Sequence, residues 1–199
     1  RQKRKYLPGL ASGDKIPAFA LTEPDAGSDA LAGRTTAEPT SDGSGFVLNG
    51  RKQWITNAGL ADVFVVFAKV GGAMAALLVD RNSDGVGIGP EADKMGLRGS
   101  STCDVFFDKV HVPAENLLWE PGRGHTIAFN TLNLGRWKLA TVNLGACKAV
   151  IEASAIYAGR REQFGRAIAE FPAVQQMLAR MAVRTFALES VVYRTAGLL

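Results

Sequence analysis

AFALTEPDAGSD, residues 18–29, and KQWITN, residues 52–57, decide how this chain is read. In the first stretch an apolar strand runs through Thr22, turns at Pro24 and opens a small loop. There Gly27 and Ser28 can offer bare amides and a hydroxyl to an anion. In the second stretch Trp54 stands two residues before Thr56, and because side chains alternate along a strand both point to one face. A flat aromatic beside a hydroxyl suits a flat polar ligand. With the adjoining loop, the pair points to a dinucleotide whose ring system lies against strands and not in the crevice of a doubly wound sheet. Taken alone, Trp54 and Thr56 read equally well as a core aromatic and an ordinary strand residue.

Composition narrows the function classes. The chain has 199 residues, 47% hydrophobic and 21% charged, the make-up of one globular domain or parts of two. A formal charge of +4 favours small anions slightly but lacks the concentrated basic face of a nucleic-acid binder, so no nucleic-acid role is expected. The longest unbroken apolar run, residues 73–79, falls far short of the roughly 20 residues that span a bilayer. No transmembrane segment is therefore expected. No secretory leader opens the chain. Cys103 and Cys147 show neither metal spacing nor a disulfide pattern, which favours a reducing compartment. With His111 and His125 as the sole imidazoles, no metal site is expected.

The basic run RQKRK at residues 1–5 reads as a solvated helix end punctuated by Pro8 and Gly9, in preference to a targeting signal. Residues 15–112 carry the pattern of strands, over 16–21, 46–48, 53–56, 63–70, 73–79 and 105–112. Gly and Asp clusters at 42–45, 71–72 and 83–85 supply turns. Short strands at this spacing predict a barrel or sandwich. After Pro121 the period changes to helical: one helix is expected over about residues 125–163, interrupted or kinked at LNLGR, residues 132–136, and a second from about Val174 onward.

Four motifs in order, LTEPDAGSD (21–29), LNGRKQWITNAG (48–59), KMGLRGSSTCDVFFDKVHVPAENLL (94–118) and GRREQFGRAI (159–168), resemble the acyl-CoA dehydrogenase family. GLASGDKIPAFALTEP (9–24) and NAGLAD (57–62) are most similar to its very-long-chain branch. The resemblance implies an α+β chain. Residues 1–13 would end an N-terminal helical domain, and 14–121 would form an antiparallel, β-barrel-like middle domain. Residues 122–199 would begin a C-terminal domain of long helices in an up-down bundle. The whole would be a fragment of a larger subunit.

By the same resemblance, FAD is held by Phe19, Leu21, Thr22, Gly27, Ser28, Trp54, Ile55 and Thr56. Thr56 would lie near the flavin N5 and Thr22 by its pyrimidine side, while Trp54 would pack the ring face opposite the substrate. Arg161, Gln163 and Phe164 match a motif whose arginine reaches the FAD pyrophosphate of a neighbouring subunit, which implies a homodimer or homotetramer. At Phe171-Pro172 the chain departs from relatives that carry a glutamine near the adenine. Asn133, Arg136 and Ser28 would approach the CoA substrate. Without the motifs, Arg161 and Arg136 read as exposed helix charges.

Some branches place the catalytic glutamate just before the arginine at 136, but here that position is Gly135. No catalytic residue is therefore assigned within the chain, and the base is expected beyond Leu199. Glu23 is read as ordering its turn. The implied activity is α,β-dehydrogenation of fatty acyl-CoA thioesters in β-oxidation, with electrons passed to an electron-transferring flavoprotein in the mitochondrial matrix or the bacterial cytoplasm. An acyl-CoA oxidase, and an assembly or scaffold protein keeping the FAD-binding fold, are the alternatives.

Overall fold

VFVVFAKV, residues 63–70, places β-branched or aromatic side chains at most of its positions, a composition that suits a strand buried on both faces. The computed structural model describes residues 1–199 and places this segment near the middle of an eight-stranded sheet. The strands are β1 (Pro17–Ala20), β2 (Thr36–Pro39), β3 (Gly45–Thr56), β4 (Val63–Val70), β5 (Ala73–Asp80), β6 (Val86–Glu91), β7 (Thr102–Pro113) and β8 (Leu117–Leu118). They run in the order β6-β7-β3-β2-β4-β5-β8, with β1 beside β4. Inward residues Phe64, Val66 and Ala68 meet Leu48, Leu77, Val105 and Val110 in the main core. On the other face Val63 and Leu78 pack with Tyr6 of helix α1 (Gln2–Ser12).

The sheet is open, ending at β6 and β8, and it is mixed: β1 and β2 both pair with β4 in parallel, while the other pairings are antiparallel. β2, β6 and β8 escaped the sequence reading because Pro39 and the glycines of VGIGPE in β6 argue against strands, and tertiary pairing overrides that preference. The separate strands expected over 46–48 and 53–56 form one strand, β3, bent by register shifts against β7. α1 does not stop at Pro8-Gly9. It carries Pro8 inside and ends at Gly13, whose φ of 83° only glycine adopts without cost. Proline there forfeits one backbone hydrogen bond, while Tyr6, 3% exposed, ties the helix to the sheet.

The chain divides into two compact units, Arg1–Phe129 and Asn130–Leu199. Helix α2 (Gly124–Arg160) is unbroken through residues 132–136, against the expected interruption. A lone glycine costs a helix about 1 kcal/mol relative to alanine, so Gly135 without a proline does not stop it. α2 is also long and apolar enough to cross a membrane by length and composition alone, through apolar residues spread along the helix and not through one unbroken apolar run. Every 20-residue stretch of it nevertheless contains at least two of Arg136, Lys138, Lys148 and Glu152, each costly at a bilayer centre.

In the second unit a tight hairpin, β9 (Glu162–Gln163) with β10 (Arg166–Ala167), leads to helix α3 (Pro172–Ala196). Pro172 suits the first helical turn, where no N–H partner is needed. α3 runs antiparallel to α2, with the Trp137 indole N–H donating to the Val192 carbonyl at 3.4 Å and Lys148 paired with Glu189.

Candidate cofactor site

The two decisive motifs meet along one stretch of β3. The Gln53 amide donates to the Thr22 carbonyl at 2.8 Å. Lys52 turns inward, 1% exposed, and its Nζ donates to the Leu21 carbonyl at 3.1 Å and to Glu23 Oε1 at 2.7 Å. The Glu23 carboxylate also accepts the amides of Arg34 at 2.5 Å and Thr35 at 3.1 Å. Glu23 and Ala26 exchange backbone hydrogen bonds across the turn at Pro24. One buried carboxylate thus closes both ends of the loop over residues 23–35 and leaves Gly27 and Ser28 exposed at its tip. Gly33 makes this possible, because a Cβ there would lie 2.9 Å from Glu23 Oε1.

Burial alone would raise the Glu23 pKa, but hydrogen bonds from Lys52, Arg34 and Thr35 outweigh it and hold the carboxyl below its ordinary value. Burial pushes the Lys52 ammonium down, opposed by Glu23. With its partner at hydrogen-bond distance, the pair is an ion pair at neutral pH. Glu23 orders the turn, as read from the sequence; Lys52 was missed. The residue types were visible, a glutamate before Pro24 and a lysine opening KQWITN, but the inward direction of Lys52 is set by the β7 register.

Between Lys52 and Ile55 the pairing with β7 slips by one residue. Lys52 is opposite Val105 and Ile55 opposite Cys103, so Gln53 and Trp54 together face Asp104. Trp54 takes a left-handed φ of 55°, which costs a non-glycine residue roughly 1–2 kcal/mol. The bulge resets the alternation. Lys52 and Ile55 both point inward, while Trp54, 64% exposed, and Thr56 stand outward together. The core-aromatic reading of Trp54 therefore falls.

The other expected residues differ in what they can offer a ligand. The half-buried Phe19 ring lies tilted against Phe67, 4.9 Å between centroids, and Leu21 and Ile55 are buried. Contacts from Leu21 and Ile55 to a ligand would come from the main chain. Thr22 is half-buried, two residues beyond the end of β1. In the second unit, Asn133 and Arg136 share an exposed face of α2 and are joined by a 2.7 Å hydrogen bond. Arg161, Gln163 and Phe164 are exposed around the β9-β10 hairpin, whose turn sets Phe164 at φ 53° and Gly165 at φ 77°. The Gln163 side chain donates to the Glu162 carbonyl at 2.7 Å. Cys103 is buried beside Glu91 and Ser101, and burial pushes its thiol pKa up, away from reactivity.

Residues 18–110 match the acyl-CoA dehydrogenase middle domain and residues 122–199 the acyl-CoA dehydrogenase C-terminal domain. The chain belongs to the acyl-CoA dehydrogenase family. It is 57% identical over 198 residues to a probable acyl-CoA dehydrogenase of Bacillus subtilis, covering 99% of this chain and 33% of that protein. It is 46% identical to the mitochondrial very long-chain specific acyl-CoA dehydrogenase of Bos taurus, covering 98% of this chain and 32% of that protein. The crystal structure of an acyl-CoA dehydrogenase complexed with FAD from Bacillus anthracis superposes with a TM-score of 0.88 at 52% identity, over 99% of this chain and 34% of that one. The chain thus spans about a third of the length of these family members.

Proposed function

We propose that this chain is the flavin-holding part of an acyl-CoA dehydrogenase that oxidises the α,β bond of fatty acyl-CoA thioesters. The observation that carries the reading is the β3 bulge: it turns a tryptophan outward beside Thr56, next to a loop whose tip is left free by the buried Lys52–Glu23 pair. That surface fits a flat ring with a phosphate tail. FAD bound there would supply the hydride acceptor. Trp54 covers one face of the ring and leaves the other to the substrate. Thr56 and Thr22 bring hydroxyls to the ring edge, where fixed donors favour developing negative charge. Ser28 and Gly27 offer amides to the phosphates and the thioester end.

Arg161 carries the planar fork suited to a pyrophosphate, and we assign it to FAD bound by a neighbouring subunit, which makes the protein a homodimer or homotetramer. Asn133 and Arg136 are assigned to the CoA portion. Glu23 is spent on the loop and Gly135 has no side chain, so the base that takes the α-proton is assigned to the remaining two thirds of the protein. Very-long-chain substrates, an electron-transferring flavoprotein as oxidant and a place in β-oxidation, in the mitochondrial matrix or a bacterial cytoplasm, complete the proposal. The chain length and compartment rest on the named relatives, the electron acceptor and the pathway on the motif resemblance. Anaerobic addition of palmitoyl-CoA to the full-length flavoprotein should bleach its visible absorbance, and air should restore it slowly. An unreduced flavin refutes the dehydrogenase; fast peroxide formation in air would make it an oxidase.

A further inference from the structure

The bulge that carries Trp54 has its own clamp. Gln53 and Trp54 both face Asp104, and the Gln53 amide turns away to the Thr22 carbonyl at 2.8 Å. The Trp54 N–H donates to the Asp104 side chain, Oδ1, at 3.3 Å. The other carboxylate oxygen, Oδ2, accepts from Arg51 Nη2 at 2.6 Å. The Arg51 guanidinium lies over the Phe106 ring, 5.3 Å from its centroid, on the strand pair that also holds Asp104. Asp104 is thereby fixed from one side while it holds the left-handed Trp54 from the other.

We infer that Asp104 is a positioning residue for the flavin surface, holding the β3 bulge so that Trp54 and Thr56 stand outward together. This rests on the flavin reading above. Without the side-chain acceptor, the Trp54 amide loses this bond, and ordinary pairing, which alternates side chains residue by residue, would return Trp54 to the side of Lys52. An exposed tryptophan with a free φ would no longer present a fixed plane. Asparagine at 104 keeps a carbonyl oxygen for the Trp54 amide and gives up the charge and the acceptor toward the half-exposed Arg51.

The test uses the full-length protein and three forms: wild type, Asp104→Ala and Asp104→Asn. Two quantities are read for each: exchange of the Trp54 amide in the flavin-free protein, by mass spectrometry with residue-level fragmentation, and the dissociation constant for FAD. In Asp104→Ala the Trp54 amide should exchange faster, and FAD should bind about tenfold more weakly, as losing one hydrogen bond implies. Asp104→Asn should recover most of both losses. Unchanged exchange and FAD affinity in Asp104→Ala overturn the inference, as does an Asp104→Asn protein as impaired as Asp104→Ala. If the wild type itself takes up no FAD, the flavin reading fails, while Trp54 exchange still decides whether Asp104 clamps the bulge.

Discussion

Lys52 and Glu23 set the terms at the scale of single residues, because each is charged, buried and paired with the other. Lys52→Met would leave Glu23 buried with its backbone donors alone. Breaking a buried pair from one side costs about 3–5 kcal/mol, and thermal or urea unfolding of the full-length protein should show it. The pH dependence follows from Glu23, whose folded pKa is depressed. Its contribution is present above the ordinary carboxylate value of about 4.3 and is lost as pH falls through the lower folded value. The gap between wild type and Lys52→Met should therefore narrow in acid. A gap independent of pH would mean that lost packing, and not the carboxylate, is being measured. The glutamate's role was legible from its place before Pro24. The lysine's was not, because inward direction on a strand depends on a register that only the β7 pairing fixes.

At the scale of elements, the loop over residues 23–35 depends on a glycine that the sequence does not single out. Gly33→Ala places a methyl group against the Glu23 carboxylate and should cost about 1–3 kcal/mol through overpacking, measured as a fall in melting temperature. Trp54→Ala, by contrast, removes an exposed side chain. It should leave the melting temperature of the flavin-free protein nearly unchanged while weakening FAD binding. Equal losses in both measurements would return Trp54 to a structural role. Strands β4 and β5 were readable from apolar runs because burial on both faces imprints on composition. β2 and β6 were not, since Pro39 and the glycines of β6 mask strands that pairing with the next strand in the chain imposes. The unbroken α2 shows the opposite error: a helix tolerates Gly135 once its flanking turns are strong.

Across the whole molecule, four ordered motifs made the family legible, and the two matched domains agree with it. The motifs carry that information because the turns and the bulge need those particular residues close together in the chain. The subunit arrangement is different, since it depends on surfaces rather than on local backbone geometry. Arg161→Ala in the full-length protein should release FAD without dissociating the oligomer, whereas Arg161→Lys should retain part of the affinity as a point charge without the fork. Gel filtration with flavin absorbance separates the two effects, and an Arg161→Ala protein that keeps its FAD removes the cross-subunit assignment.

If the β3 bulge and the loop at residues 22–28 form one flavin platform, a crystal structure of the full-length protein with FAD will show the isoalloxazine against the outward face of Trp54, with the Thr56 hydroxyl at its edge and the phosphates at Gly27 and Ser28. A flavin bound elsewhere, with Trp54 left in solvent or covered by another protein segment, would contradict it.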